Sequence, residues 1–157
     1  MSCSCAQFPP IELDRKSIRR RINKSRRFKR GLNLIAEDGS GEHKLFECHS
    51  CGKFWQSSRA WNWGNEEYLF ETPPIDSADW KASPFEQPDE LLIYSAVMRD
   101  YYERNSFETT TKPCQQESCS KLAIRFSVLC EEHHIAKLQD GRGLVLRPAG
   151  RRLPYYK

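Results

Sequence analysis

No apolar run in this chain approaches the roughly 20 residues that a membrane-spanning helix needs. The first residues carry no hydrophobic stretch of the kind a secretory signal requires, so the expected location is cytoplasmic. No glycine-rich phosphate loop or nucleophile elbow appears. The common zinc-hydrolase and deaminase spacings are missing too, and these absences together argue against an enzyme. There is no internal repeat and no low-complexity tract. Apolar residues are scarce for a globular chain, at 38% against 29% charged, so a chain of 157 residues has only a modest core. Aromatics (Trp 4, Tyr 6, Phe 8) supply much of it. Residues 52–113 contain no cysteine at all.

The cysteines that are present fall at short spacings elsewhere. In a reducing compartment such pairs point to metal rather than to disulfides, and the odd count of seven argues against a closed disulfide framework. One histidine completes two sets of four. The first set is Cys114-x4-Cys119-x10-Cys130-x2-His133. The second joins the Cys48-x2-Cys51 knuckle, which runs on into Gly52-Lys53, to the terminal pair Cys3 and Cys5. Tetrahedral zinc takes four such soft or borderline ligands, so one or two structural Zn2+ ions are the expected cofactor. Two alternatives stay open. His134 faces back along the same helix as His133 and can replace it. Cys48 and Cys51 can also pair with Cys130 and His133, which leaves Cys114 and Cys119 elsewhere. Both sets of four are closed by protein ligands, which is a structural rather than a catalytic pattern.

The net charge of +4 hides a division. Residues 1–35 hold ten basic and two acidic side chains, residues 36–111 six basic and fifteen acidic, and residues 112–157 nine basic and four acidic. Basic ends suit a polyanion, and equally suit packing onto the acidic middle.

Asp14 is a fair N-cap and Gly31 a C-terminal stop, which predicts a helix over residues 15–30. Ile18 and Ile22, then Phe28 and Leu32, give it a thin apolar stripe. The other positions supply candidate phosphate contacts at Arg15, Lys16, Arg19, Arg20, Arg21, Lys24, Arg26, Arg27, Lys29 and Arg30. Arg151 and Arg152 add charge at the other end, with Tyr155 and Tyr156 for stacking. Two strand-like arms flank the Cys48–Cys51 turn, and one strand is expected near residues 67–71. An irregular aromatic, proline-rich segment then runs to residue 88. Residues 89–105 predict a central buried helix, because Leu91, Leu92, Ile93, Ala96, Val97, Met98, Tyr101 and Tyr102 surround it. A polar linker over residues 106–113, a hairpin over 121–129, a short helix over 131–139 and a possible strand over 144–146 complete the pass.

The text from Pro113 to His134 resembles short zinc modules found in many phage, bacterial and plant proteins. Those read Cys-x4-Cys, a small residue, then Leu-Cys-x2-His. The resemblance covers about 20 residues and implies a treble-clef-like metal site without a fixed activity. Phe46 to Ser57 resembles the first knuckle of the zinc domain shared by receptor-transporting and zygote-arrest proteins. Those continue with further Cys-x2-Cys pairs, which this chain lacks.

The expected fold is α+β: a small zinc-stabilised domain with short β-hairpins, one central buried helix and a basic N-terminal helix. Its parts are the basic segment 1–35, the knuckle, aromatic segment and helix of 36–111, the zinc module 112–140 and the basic tail 141–157, expected to form one compact unit. The expected function is non-catalytic binding of RNA or DNA within a larger complex. The alternative is a protein–protein module, such as a bacterial immunity protein or adaptor, that uses the acidic aromatic middle around Trp61, Trp63, Trp80 and Phe85.

Overall fold

A computed structural model describes residues 3–154 and shows the expected α+β class. It holds four helices, a four-stranded antiparallel sheet and a two-stranded sheet. Tyr155 and Tyr156 lie outside the described residues. The chain divides into two units. One is the chain through Leu92 together with the segment from Pro148, and the other is Ile93–Arg147.

The first unit is built on β1 (Leu32–Glu37), β2 (Lys44–Cys48), β3 (Phe54–Ala60) and β4 (Glu66–Thr72), in that order across the sheet. Strand β1 takes Leu32 out of the helical stripe where the sequence had placed it. Gly31 ends the helix, and Leu32 instead pairs with Cys48. The pleat sorts side chains into two cores. Leu45, Tyr68 and Phe70 join Ile18, Trp63, Trp80 and Phe85 in one cluster. Phe46, Trp55 and Leu69 join Cys5, Phe28 and Cys48 in the other. Three of the four aromatics offered as interface anchors, Trp63, Trp80 and Phe85, are therefore core, while Trp61 is 58% exposed.

Helix α1 spans Arg15–Lys29 and starts as expected, with Asp14 Oδ1 accepting from the Lys16 and Ser17 amides at 3.1 and 3.0 Å. The aromatic stretch contains a short helix the sequence reading missed, α2 (Ser77–Ala82), capped by Asp76. Its Trp80 is fully buried and donates through Nε1 to Gln56 Oε1 at 2.8 Å. Gln56 is itself fully buried. Its Oε1 also accepts from the Phe85 amide, and its Nε2 donates to Phe85 O and Ser58 Oγ. This amide holds the irregular 83–87 stretch against β3. The C-terminal segment returns to the same stretch. Arg151 forms a parallel bridge with Phe85, and Leu153 is buried in the first cluster.

Helix α3 (Pro88–Arg104) forms as predicted, but it is not buried all round. Leu91 and Met98 are buried, whereas Ala96, Val97 and Tyr102 are exposed. Its apolar residues outnumber the packing surface available in a chain this small. In the second unit, β5 (Thr109–Pro113) occupies the expected polar linker and pairs with β6 (Leu122–Ile124). The expected hairpin is thus shared with β5, and a tight turn follows β6, with Ile124 N donating to Leu129 O at 2.9 Å. Helix α4 spans Glu131–Asp140. Residues 144–146 form no strand. Val145 O accepts instead from Gln139 Nε2 at 2.9 Å, on the way back from α4.

Candidate metal centres and cationic surface

In the second unit a loop, a hairpin and a helix start bring four ligands together. Cys114 and Cys119 bracket a turn closed by Cys119 N donating to Gln116 O and by Cys114 N donating to Lys121 O. Cys130 is the N-cap of α4, so His133 lies one turn on, on the same side. The ligand atoms of Cys114, Cys119, Cys130 and His133 all lie within 4.8 Å of one another. Their separations can be tested against a metal. Zinc–sulfur and zinc–nitrogen bonds of about 2.3 and 2.0–2.1 Å give tetrahedral edges of about 3.8 Å between sulfurs and about 3.6 Å from sulfur to nitrogen. The observed edges are 3.9 Å for Cys119 Sγ to Cys130 Sγ, and 3.4 and 3.3 Å from His133 Nδ1 to Cys114 Sγ and Cys130 Sγ. His134 is engaged elsewhere, with its Nε2 3.2 Å from Tyr101 Oη, so His133 completes the set.

The sulfurs are also prepared electrostatically. Burial pushes the Cys114 thiol up. The amides of Cys130 and Gln116, 3.2 and 3.5 Å from its sulfur, outweigh that and bring it down to about 6. Cys119 is pulled down by the Lys121 amide, but burial and the sulfurs of Cys114 and Cys130 raise it on balance. A set in which one sulfur sits among N–H donors and its neighbours crowd one another suits a cation placed between them.

The first unit repeats the logic. Cys48 ends β2, and the Cys48–Cys51 turn is closed by Gly52 N donating to Cys48 O at 2.9 Å, with Gly52 at φ +70°. Cys5 lies in a short 3-10 turn, Ser4–Gln7, that places it beside Cys48 in the second core cluster. The sulfurs of Cys3, Cys5, Cys48 and Cys51 lie within 4.8 Å of one another. Burial pushes Cys48 up, and the amides of Ser50 and Cys51 bring it down to about 7. Burial, then the thiols of Cys48, Cys51 and Cys3, raise Cys5. All seven cysteines are free thiols. Each tetrad could hold a metal ion such as zinc. The rival pairing of Cys48 and Cys51 with Cys130 and His133 is not the one formed.

The nine cations of α1 and its C-cap Arg30 have different fates. Arg21 is buried. Its guanidinium donates to Leu69 O at 3.3 Å and to Pro9 O, lies 3.4 Å from Glu12, and faces the Phe8, Trp55 and Tyr68 rings. Arg19 pairs with Glu66 at 2.7 Å and Lys29 with Glu67 at 2.6 Å, while Arg15 lies over the Trp63 ring. Lys16, Arg20, Lys24, Arg26, Arg27 and Arg30 are exposed, and among the described residues none has a carboxylate within ion-pair distance. At the other end, Arg151 donates to Asp79 O at 3.1 Å and Arg152 lies 3.6 Å from Glu86, so both are tied into the first unit. Arg59, which the sequence reading passed over inside an acidic block, is exposed on β3 and lines two cavities of about 190 and 440 Å³ with Glu67. No alternation along β3 marks it, because Trp55, Gln56, Ser57 and Ser58 are all buried in succession.

Among the described residues no helix is long and apolar enough to cross a membrane. No family model, no curated protein and no solved structure matches the chain.

Proposed function

We propose that this chain is a zinc-stapled, non-catalytic nucleic-acid-binding protein that works within a larger assembly. Each tetrad takes a structural zinc ion, and the Cys114–His133 set forms a treble-clef-like module. The observation that carries the reading is the outer face of α1. Lys16, Arg20, Lys24 and Arg27 recur at helical spacing on one stripe, all exposed. Ile18, Arg21, Ile22, Ser25 and Phe28 fill the opposite, buried side. A row of cations held rigidly along a docked helix neutralises phosphates and releases counterions. The closed ligand sets leave no open metal position for an activated water, which favours binding over hydrolysis.

The test is fluorescence anisotropy with a labelled oligonucleotide across a salt series. For about four phosphate contacts, affinity falls roughly 100-fold between 50 and 200 mM salt. Lys24→Glu with Arg27→Glu weakens binding and flattens that dependence, while the melting temperature stays put. Absent or salt-insensitive binding removes the proposal. A second reading has one observation in its favour, the exposed Trp61, which suits a protein-docking anchor. A stoichiometric protein partner that survives nuclease treatment and is lost in Trp61→Ala would establish it.

A further inference from the structure

We propose that the turn through Arg125 and Phe126, with the cavity beside it, is a stacking subsite for one unpaired base of single-stranded nucleic acid. The inference rests on the nucleic-acid reading above and adds a contact that α1 cannot supply.

Phe126 has φ +65°. Ser127 N donates to Ile124 O at 3.1 Å, so Phe126 occupies the third position of a tight turn. Glycine or asparagine is the ordinary residue there, because an L side chain crowds its own backbone at positive φ. A bulky aromatic at such a position is an outlier that destabilises the fold. Packing does not compensate for it, because the side chain is 95% exposed. The Arg125 guanidinium lies over its ring, 4.9 Å from the centroid. A strained turn that holds an aromatic face out into solvent serves contact with something outside the unit.

What surrounds the ring identifies that contact. A cavity of about 290 Å³ opens beside it, at the lower end of ligand-site sizes and so fitted to a single base. Tyr101, Phe107 and Phe126 give it aromatic walls, and Arg104, Arg125 and Asn105 give it charge and an amide. Bases splayed out of single strands stack on aromatic rings and on arginine planes, and are read through their polar edges. The two arginines have partners, Asp100 at 2.8 Å and Glu108 at 3.2 Å, but all four side chains are more than half exposed. Such pairs are weak enough to exchange a carboxylate for a phosphate. An apolar protein segment has no use for two cations and an amide inside an aromatic cavity, so a base fits the chemistry better. Sequence reading missed Phe126, and the available signal was an aromatic in a short turn that lacks glycine and asparagine.

The experiment uses the full metal-loaded chain and two probes: a short labelled thymidine oligonucleotide and a blunt duplex of equal length. Phe126→Gly removes the ring and suits the backbone, so its melting temperature is unchanged or higher. Phe126→Asn is the second variant, because asparagine also accepts positive φ. In both, single-strand affinity falls about 5- to 100-fold while duplex affinity stays within about twofold. Lys24→Glu with Arg27→Glu weakens both probes. Unchanged single-strand binding in both ring variants, with the α1 variant still weakened, overturns the subsite and leaves the broader reading intact. Failure of the unmodified chain to bind either probe overturns both. A lowered melting temperature in both ring variants makes the ring a structural element and overturns the subsite. So does loss of a stoichiometric protein partner with single-strand affinity unchanged.

Discussion

Asp89 is fully buried at the start of α3, and its Oδ2 has no hydrogen-bond partner among the described residues. Burial pushes its carboxyl up to about 6, against the pull of the Glu90 and Trp61 amides. Glu90, next to it, is raised to about 7 by burial and then by the nearby charges of Asp89, Glu42 and Glu86. Both groups ordinarily ionise near 4. Between about pH 4 and pH 7 the folded chain therefore holds protons that the unfolded chain has released. By linkage, stability falls as pH rises through that window. The carboxyls of Asp14, Asp38, Glu67 and Glu132 are shifted the other way, so their contribution is lost only below it. Asp89→Asn removes one buried charge and one repulsion on Glu90. It should raise the melting temperature at pH 7.5 by a few degrees and leave it unchanged near pH 4. Thermal melts at both pH values check this, and an equal effect at the two values would remove the titration argument.

At the scale of an element, α1 separates arginines that composition treats as equivalent. Arg21 falls on the buried stripe with Ile18, Ile22, Ser25 and Phe28, and its guanidinium is held by two carbonyls and Glu12. Arg21→Ala leaves Glu12 and those carbonyls without their donor and should cost about 3–5 kcal/mol. Arg27→Ala, on the outer face, should change stability by no more than about 0.5 kcal/mol. Chemical denaturation of the two variants provides the comparison, and similar losses would contradict the two-faced helix. Much of this element was legible in the sequence: the Asp14 cap, the Gly31 stop and the apolar spacing all predict it. The inward arginine was legible in principle, because position 21 continues that spacing, but charge composition hides it. Elements β1 and β5 were not legible. Leu32 fits a helical stripe as well as a strand, and residues 109–113 are polar because β5 is largely exposed. Helix α3 was legible in type and misjudged in burial, since periodicity counts apolar side chains and cannot say how many neighbours exist to cover them.

For the whole molecule, the acidic middle is partly spent on the basic head, through Arg19–Glu66 and Lys29–Glu67. What remains exposed is a selection of the charge rather than all of it. The two cysteine-rich tetrads were the most legible feature at this scale, because ligand spacing is a local property. The pairing of Cys3 and Cys5 with the knuckle was legible only by completing the set of four, since its geometry depends on the 3-10 turn and on Phe8 packing against Phe28 and Trp55. One tetrad lies in each unit. If each tetrad takes the zinc ion proposed for it, a small unit with a thin core draws folding free energy from that metal, so the two sites should be separable. Native mass spectrometry should find two zinc ions per chain, one in Cys119→Ser and one in Cys51→Ser. Hydrogen exchange then locates the damage. Cys119→Ser loses protection at the β5–β6 pair and α4 while the four-stranded sheet keeps it, and Cys51→Ser does the reverse. If either single variant lost both metals, or lost protection throughout, the two tetrads would be one cooperative structure rather than two independent staples.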